Sequence, residues 1–156
     1  MFTLIHVLLS VLAIISGCVV AGGLVAGARL NGWTAFFLAT TILTSVTGFG
    51  FPFTAVTPAQ IVGVVSLVVL AVCLAARYWR QMEGAWRVIY VITAVAALYF
   101  NVFVLVAQLF AKTPALAQLA PLQQGQGPHF AVTQALVLAL FVWIGRAAVR
   151  GFRRSQ

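Results

Sequence analysis

Five uninterrupted apolar stretches run through this chain, at Leu4–Ala28, Trp33–Phe51, Thr57–Ala76, Trp86–Phe110 and Phe130–Val149. A helix rises about 1.5 Å per residue, so each stretch is close to the roughly 20 residues that cross about 30 Å of hydrocarbon. Apart from Arg87 in the first turn of the fourth, none contains Lys, Arg, Asp or Glu until the last turn of the fifth, where Arg146 can snorkel to a surface. Backbone buried in lipid must satisfy its own hydrogen bonds, which leaves helices or closed barrels. The alternating strands of about ten residues that a barrel needs are not there. The expected fold is therefore all-α, a single transmembrane domain over residues 1–156 built as a five-transmembrane-helix bundle.

Composition supports the choice of solvent. Charged residues make up 6% of the 156 positions and hydrophobic ones 63%, whereas soluble domains carry about 25% charged residues. A cytosolic enzyme, a secreted disulfide scaffold and a disordered tail are excluded on that ground. The net charge of +8 would suit nucleic acid on a soluble surface, but here it reads as a topology signal. The expected partner is the lipid bilayer, with a homo-oligomer or a larger membrane complex as further possibilities and no nucleic acid.

With five crossings, residues 29–32, residues 77–85 and the C-terminal tail share one side. That side holds Arg29, Arg77, Arg80, Arg87, Arg146, Arg150, Arg153 and Arg154, and the other holds only Lys112. The positive-inside bias then predicts an outside N-terminus and a cytoplasmic C-terminus, as in a multi-pass protein of a bacterial inner membrane. Trp33, Trp79, Trp86 and Trp143 fall near the same cytoplasmic ends, at the depth where amphipathic rings settle. A cleavable signal peptide is the competing reading of the first span, from Ala26-Gly27-Ala28. It is disfavoured because Met1–His6 has no Lys or Arg and the apolar run is about twice the usual length of 7–15.

Within lipid, helices approach through small residues. Ser10, Ala13, Gly17 and Ala21 form such a ridge on the first span, and Gly23-x-x-x-Gly27 follows it. An intramolecular contact is favoured for both over dimerisation. Asn31-Gly32 is expected to make the turn into the second span, and Phe51-Pro52-Phe53 to end that span. The long connection 111–129 has Pro114 and Pro121 bracketing a short helical piece, followed by a Gln- and Gly-rich loop.

Much chemistry is missing. Glu83 is the only acid, so paired carboxylates and intramembrane acidic relays are excluded. No phosphate loop, H-E-x-x-H motif or Ser, His, Asp set occurs. Cys18 and Cys73 have no C-x-x-C spacing and are expected to be small hydrophobes at different depths. No internal repeat divides the spans into matching halves, which weighs against inverted-repeat transporters.

The remaining candidates are polar residues. His6 and His129 enter the first and fifth spans from the same side, and Ser10, Gln60, Gln108 and Gln134 lie near that face. Asn101 is deeper and should turn into the bundle toward the hydroxyl-rich second span, Thr40 to Thr47. The hydroxyls there are expected mainly to bond back to their own helix. Neutral imidazoles of His6 and His129 could hold haem or copper, although two histidines alone are incomplete for zinc. Alternatively, the amides and Ser10 line a polar cavity for a small neutral molecule such as a quinone headgroup. The expected function is non-enzymatic: an accessory or scaffold subunit, or a small-molecule binder with a polar site at the outer face. A haem- or copper-binding redox protein and a permeation pathway for a neutral solute, along Asn101 and the second-span threonines, are the alternatives.

Overall fold

The computed structural model describes residues 1–51, 58–114, 116 and 127–154. Among these the regular structure is all helical, with no strand: α1 (Phe2–Val25), α2 (Asn31–Gly48), α3 (Pro58–Leu74) continued by a π-helical turn (Ala75–Trp79), α4 (Trp86–Lys112) and α5 (Pro128–Arg154). Helices α1, α4 and α5, and α3 together with its π turn, are long and apolar enough to cross a membrane. Helix α2 is 18 residues long and rises about 27 Å, just short of the roughly 30 Å of hydrocarbon. Asn31 and its run of threonines also leave it less apolar than the spanning stretches of the other four. Pro52-Phe53 and most of the 111–129 connection lie outside the described residues.

The helices form one bundle. Helix α4 packs against α1, α3 and α5, while α1 also touches α2 and α5, and α2 touches α3. The small-residue ridge of α1 is what admits the neighbours: Ala13, Gly17 and Ala21 are buried, and a Cβ at Gly17 would lie 2.5 Å from Leu98 and 2.8 Å from Phe37. Opposite them, Phe37 and Leu38 of α2 and Val91, Ala94, Ala97 and Leu98 of α4 fill the core. Gly23 packs on the side chain of Leu30, so the Gly23/Gly27 pair serves the chain's own turn.

That turn corrects one expectation. Asn31 and Gly32 are the first residues of α2, and the left-handed residue is Gly27, at φ 76°, where glycine avoids the Cβ penalty. A second correction concerns Arg77. The third helix does not stop at Ala76 but winds on through the π turn, which carries Arg77 inward to 6% exposure. Gln81, Met82 and Gly84 then take positive φ, and this tight reversal returns the buried Met82 to the core.

The outer surface is apolar. Leu8, Leu12 and Ile15 on α1, Val64 and Val68 on α3, and Leu136 and Leu140 on α5 all face outward, and at most 33% of any spanning stretch is buried. Soluble monomers do not leave apolar area of this extent uncovered, so this is the exterior of a multi-pass membrane protein. The two ends differ. Arg29, Arg77, Arg80 and Arg150 gather where α1 ends, α2 and α4 begin and α5 ends, with Arg29 over the Phe152 ring and Arg80 over Trp86. The opposite end carries His6, Phe49, Phe51 and Lys112.

Candidate functional site

A cavity of about 600 Å³ opens at the His6 end between α1, α2, α3 and α4. Four helices leave a space there because most of the core contacts that hold them lie toward the other end: the buried residues of α2 run from Thr34 to Thr41, and all those of α4 but Phe110 lie within Tyr90–Leu98. Beyond Thr41 the helices no longer fill the space between them. Val7, Val11, Ile14, Val62 and Leu105 make most of the wall apolar, and Phe49 and Phe51 flank the mouth.

The polar groups enter from each helix. On α1, the Ser10 hydroxyl donates to the His6 carbonyl at 2.8 Å, which satisfies it within its own helix. His6 Nδ1 lies 2.8 Å from Thr47 Oγ1, and Thr47 in turn lies 2.7 Å from the Leu43 carbonyl. Since a hydroxyl has one proton, and the carbonyl takes it, Thr47 accepts from His6 Nδ1–H. With the ring neutral, that arrangement leaves Nε2 with a lone pair as an acceptor. Phe51 holds the imidazole edge-on, with ring centroids 5.2 Å apart.

Deeper in, Asn101 Nδ2 donates to Thr41 Oγ1 at 3.1 Å, the interhelical pairing that a deep amide requires. Thr40 bonds back to the Phe36 carbonyl at 2.8 Å. Thr44 and Ser66 do neither. Both line the cavity, and both hydroxyl oxygens are buried without a hydrogen-bond partner among the described residues. A buried hydroxyl left unpaired costs about 1–3 kcal/mol, so two of them across one cavity mark a place where a polar group belongs.

The structure brings His6, Ser10, Gln60, Asn101 and Gln108 to this one cavity, with Lys112 at its rim. It does not bring His129 or Gln134. His129 is exposed at the start of α5, and Gln134 Nε2 donates instead to the Phe103 carbonyl at 3.0 Å, tying α5 to α4. The shared membrane face of the two histidines is a matter of depth along the bundle, and the radial position of α5, which contributes nothing to the cavity lining, keeps them apart. Among the described residues no three His, Cys, Asp or Glu side chains come together as a metal site. Cys73 is buried and Cys18 faces outward, both as free thiols.

Sequence reasoning missed Thr44 and Ser66 as the unsatisfied pair, because hydroxyls on lipid-embedded helices ordinarily bond back and nothing in the sequence marks the two that do not. It also missed Arg77 as a buried group. Compared with protein families, characterised proteins and solved structures, the chain shows no significant match to any.

Proposed function

We propose that this chain is a five-span integral membrane protein of the bacterial inner-membrane type, its arginine end cytoplasmic, that binds a small, largely apolar molecule by one polar headgroup in the outward-facing cavity. The observation that carries this reading is the pair of unpartnered buried hydroxyls, Thr44 and Ser66, on the wall of a mostly apolar space. Ligand pockets have this composition: mostly apolar lining with a few convergent polar groups, in volumes of roughly 300–1,000 Å³. A headgroup with both an acceptor and a donor, such as a hydroxy-ketone or a hydroquinone, would satisfy the two hydroxyls and the His6 Nε2 lone pair together. The binding role requires no catalysis by the chain, which fits its single acid. The orientation rests on the positive-inside bias, with the short α2 completing the fifth crossing.

The test is mass spectrometry of small molecules that co-purify with the detergent-solubilised protein, compared between the native chain and Ser66→Leu, which fills the cavity with apolar atoms. A near-stoichiometric amphipathic compound present in the first and depleted at least tenfold in the second is expected. Identical small-molecule content in the two would remove the binding reading and leave the scaffold role. The conservative pair Thr44→Val and Ser66→Ala adds a second arm. Each deletes an unsatisfied hydroxyl, so neither should lower the stability of the empty protein, yet each should weaken retention of the ligand by roughly tenfold, the value of one hydrogen bond in a dry site.

A further inference from the structure

A second depression lies on the opposite side of α4. It is a groove of about 510 Å³ between α4 and α5, floored by Val88, Ile92, Val95 and Ala96 on one helix and Leu138, Phe141 and Val142 on the other. The floor residues recur at helical spacing, so each helix presents one continuous face. Gly145 sits among them, and the space above it is open: a Cβ there would come no nearer than 3.8 Å to Val95. Beyond Gly145 the groove changes character. Arg146, Arg150 and Arg153 line its end, all three exposed, and no acidic side chain is among its lining residues.

We infer that this groove is a binding site for one anionic phospholipid, with its phosphodiester on Arg146, Arg150 and Arg153 and an acyl chain along Gly145, Val142 and Leu138. The inference goes beyond the outward cavity and uses none of its residues. Three observations carry it. The apolar and cationic parts are segregated along one axis in the order that a phospholipid has them, tail and then phosphate. The spacing of the arginines, four and three residues apart, puts their guanidinium groups on a single helix face, where planar forks can share the oxygens of one phosphate. The length also fits: from Leu138 to Arg153 is about 22 Å of helix, against roughly 20–22 Å for one leaflet including headgroups. Basic pockets between spanning helices on the cytoplasmic side are where anionic headgroups are held. Trp143, outward on the same helix, belongs at the same depth.

The probe is phosphatidylglycerol against phosphatidylcholine of the same acyl composition, added in equal amounts to the full chain in detergent, with bound lipid counted on intact complexes by native mass spectrometry. The native protein is expected to retain one phosphatidylglycerol in strong preference to phosphatidylcholine. Each arginine near an anionic lipid is worth roughly fivefold, so R146Q/R150Q/R153Q should lose that preference by more than tenfold, and R146K/R150K/R153K, which keeps the charge but not the planar forks, should fall between it and the native chain. Gly145→Leu keeps every charge but fills the groove, and should reduce retention as the glutamine variant does, while Gly145→Ala should leave it unchanged. Equal retention of the two lipids by the native chain would overturn the site. So would a Gly145→Leu protein that binds as the native one does, since charge attraction without the groove would then suffice. A dimer that carries no lipid would assign the groove to a second copy of the chain instead. Should the triple glutamine variant not fold, Arg150→Gln and Gly145→Leu decide the matter by the same readout.

Discussion

Two glycines six positions apart on α5 show how differently one residue type can be constrained. At Gly145 an added methyl meets only ordinary contact, whereas at Gly151 a Cβ would sit 1.9 Å from the Val25 carbonyl oxygen and 2.7 Å from its carbon. Those are backbone atoms at the end of α1, and they cannot swing aside as a side chain can. Gly151→Ala is therefore expected to destabilise the bundle by about 1–3 kcal/mol, the usual cost of overpacking, and Gly145→Ala to be neutral or slightly stabilising through its better helix propensity. Unfolding of the two variants by SDS in mixed micelles measures the difference, and equal stability would mean that α1 and α5 do not approach so closely. Neither glycine stands out in the sequence. The ridge Ala13, Gly17, Ala21 was legible because it repeats on one face, while Gly151 is a single close approach with no pattern to announce it.

At the scale of elements, the π turn after α3 makes the least expected contribution. One extra residue in the turn brings the Arg77 guanidinium inside, where Nη1 donates to Tyr90 Oη at 2.9 Å and Nη2 to Asn31 Oδ1 at 2.7 Å. Its Cζ also lies 5.1 Å from the Tyr90 ring centroid. One side chain thus fastens the end of the third helix to the starts of α2 and α4. Its Nε is buried without a partner among the described residues, so the fork is not fully satisfied and its net contribution comes from the two bonds made. Arg77→Lys offers a single ammonium that cannot reach both acceptors, and should cost about 1–3 kcal/mol in the same SDS titration. Tyr90→Phe should cost less, since the Asn31 bond survives. A lysine variant as stable as the native chain would show that the clamp is unnecessary. Hydropathy counted Arg77 as a loop charge because a basic residue at the end of an apolar run ordinarily marks the exit from the membrane. Only the wound-back geometry shows that this one turns inward. The other helix ends were legible within a few residues, apart from the Gly27 turn, where Asn-Gly was the more familiar turn signal but began the helix.

Over the whole molecule, the asymmetry between the two ends ties fold to orientation. The proposed topology puts residues 122–127 outside, and it can be checked in a chain whose Cys18 and Cys73 are replaced by alanine. Gln124→Cys should then react with an impermeant thiol reagent added to intact cells, and Ser155→Cys should react only after the membrane is opened. The reverse pattern would invert the protein, and reaction of both from outside would mean that α5 does not cross the membrane. The apolar spans and the charge bias were readable because both are sums over many residues. The cavity was readable in part: depth along each helix, which sequence supplies through the 1.5 Å rise, put His6, Gln60 and Gln108 near one face with Asn101 deeper, and all four line the one cavity. The angular placement around the bundle, which sequence does not supply, sent His129 and Gln134 elsewhere.

The cavity is enclosed by four helices, and α5 contributes no residue to its lining. Only 17% of α5's apolar stretch is buried, and its attachments are to the backs of α1 and α4. Cup and buttress are in this sense separable trades. Changes along α5 can retune how the protein sits among its lipids while the contents of the cup stay as they are, and a new ligand preference can arise in α1 to α4 without disturbing the protein's footing in the membrane.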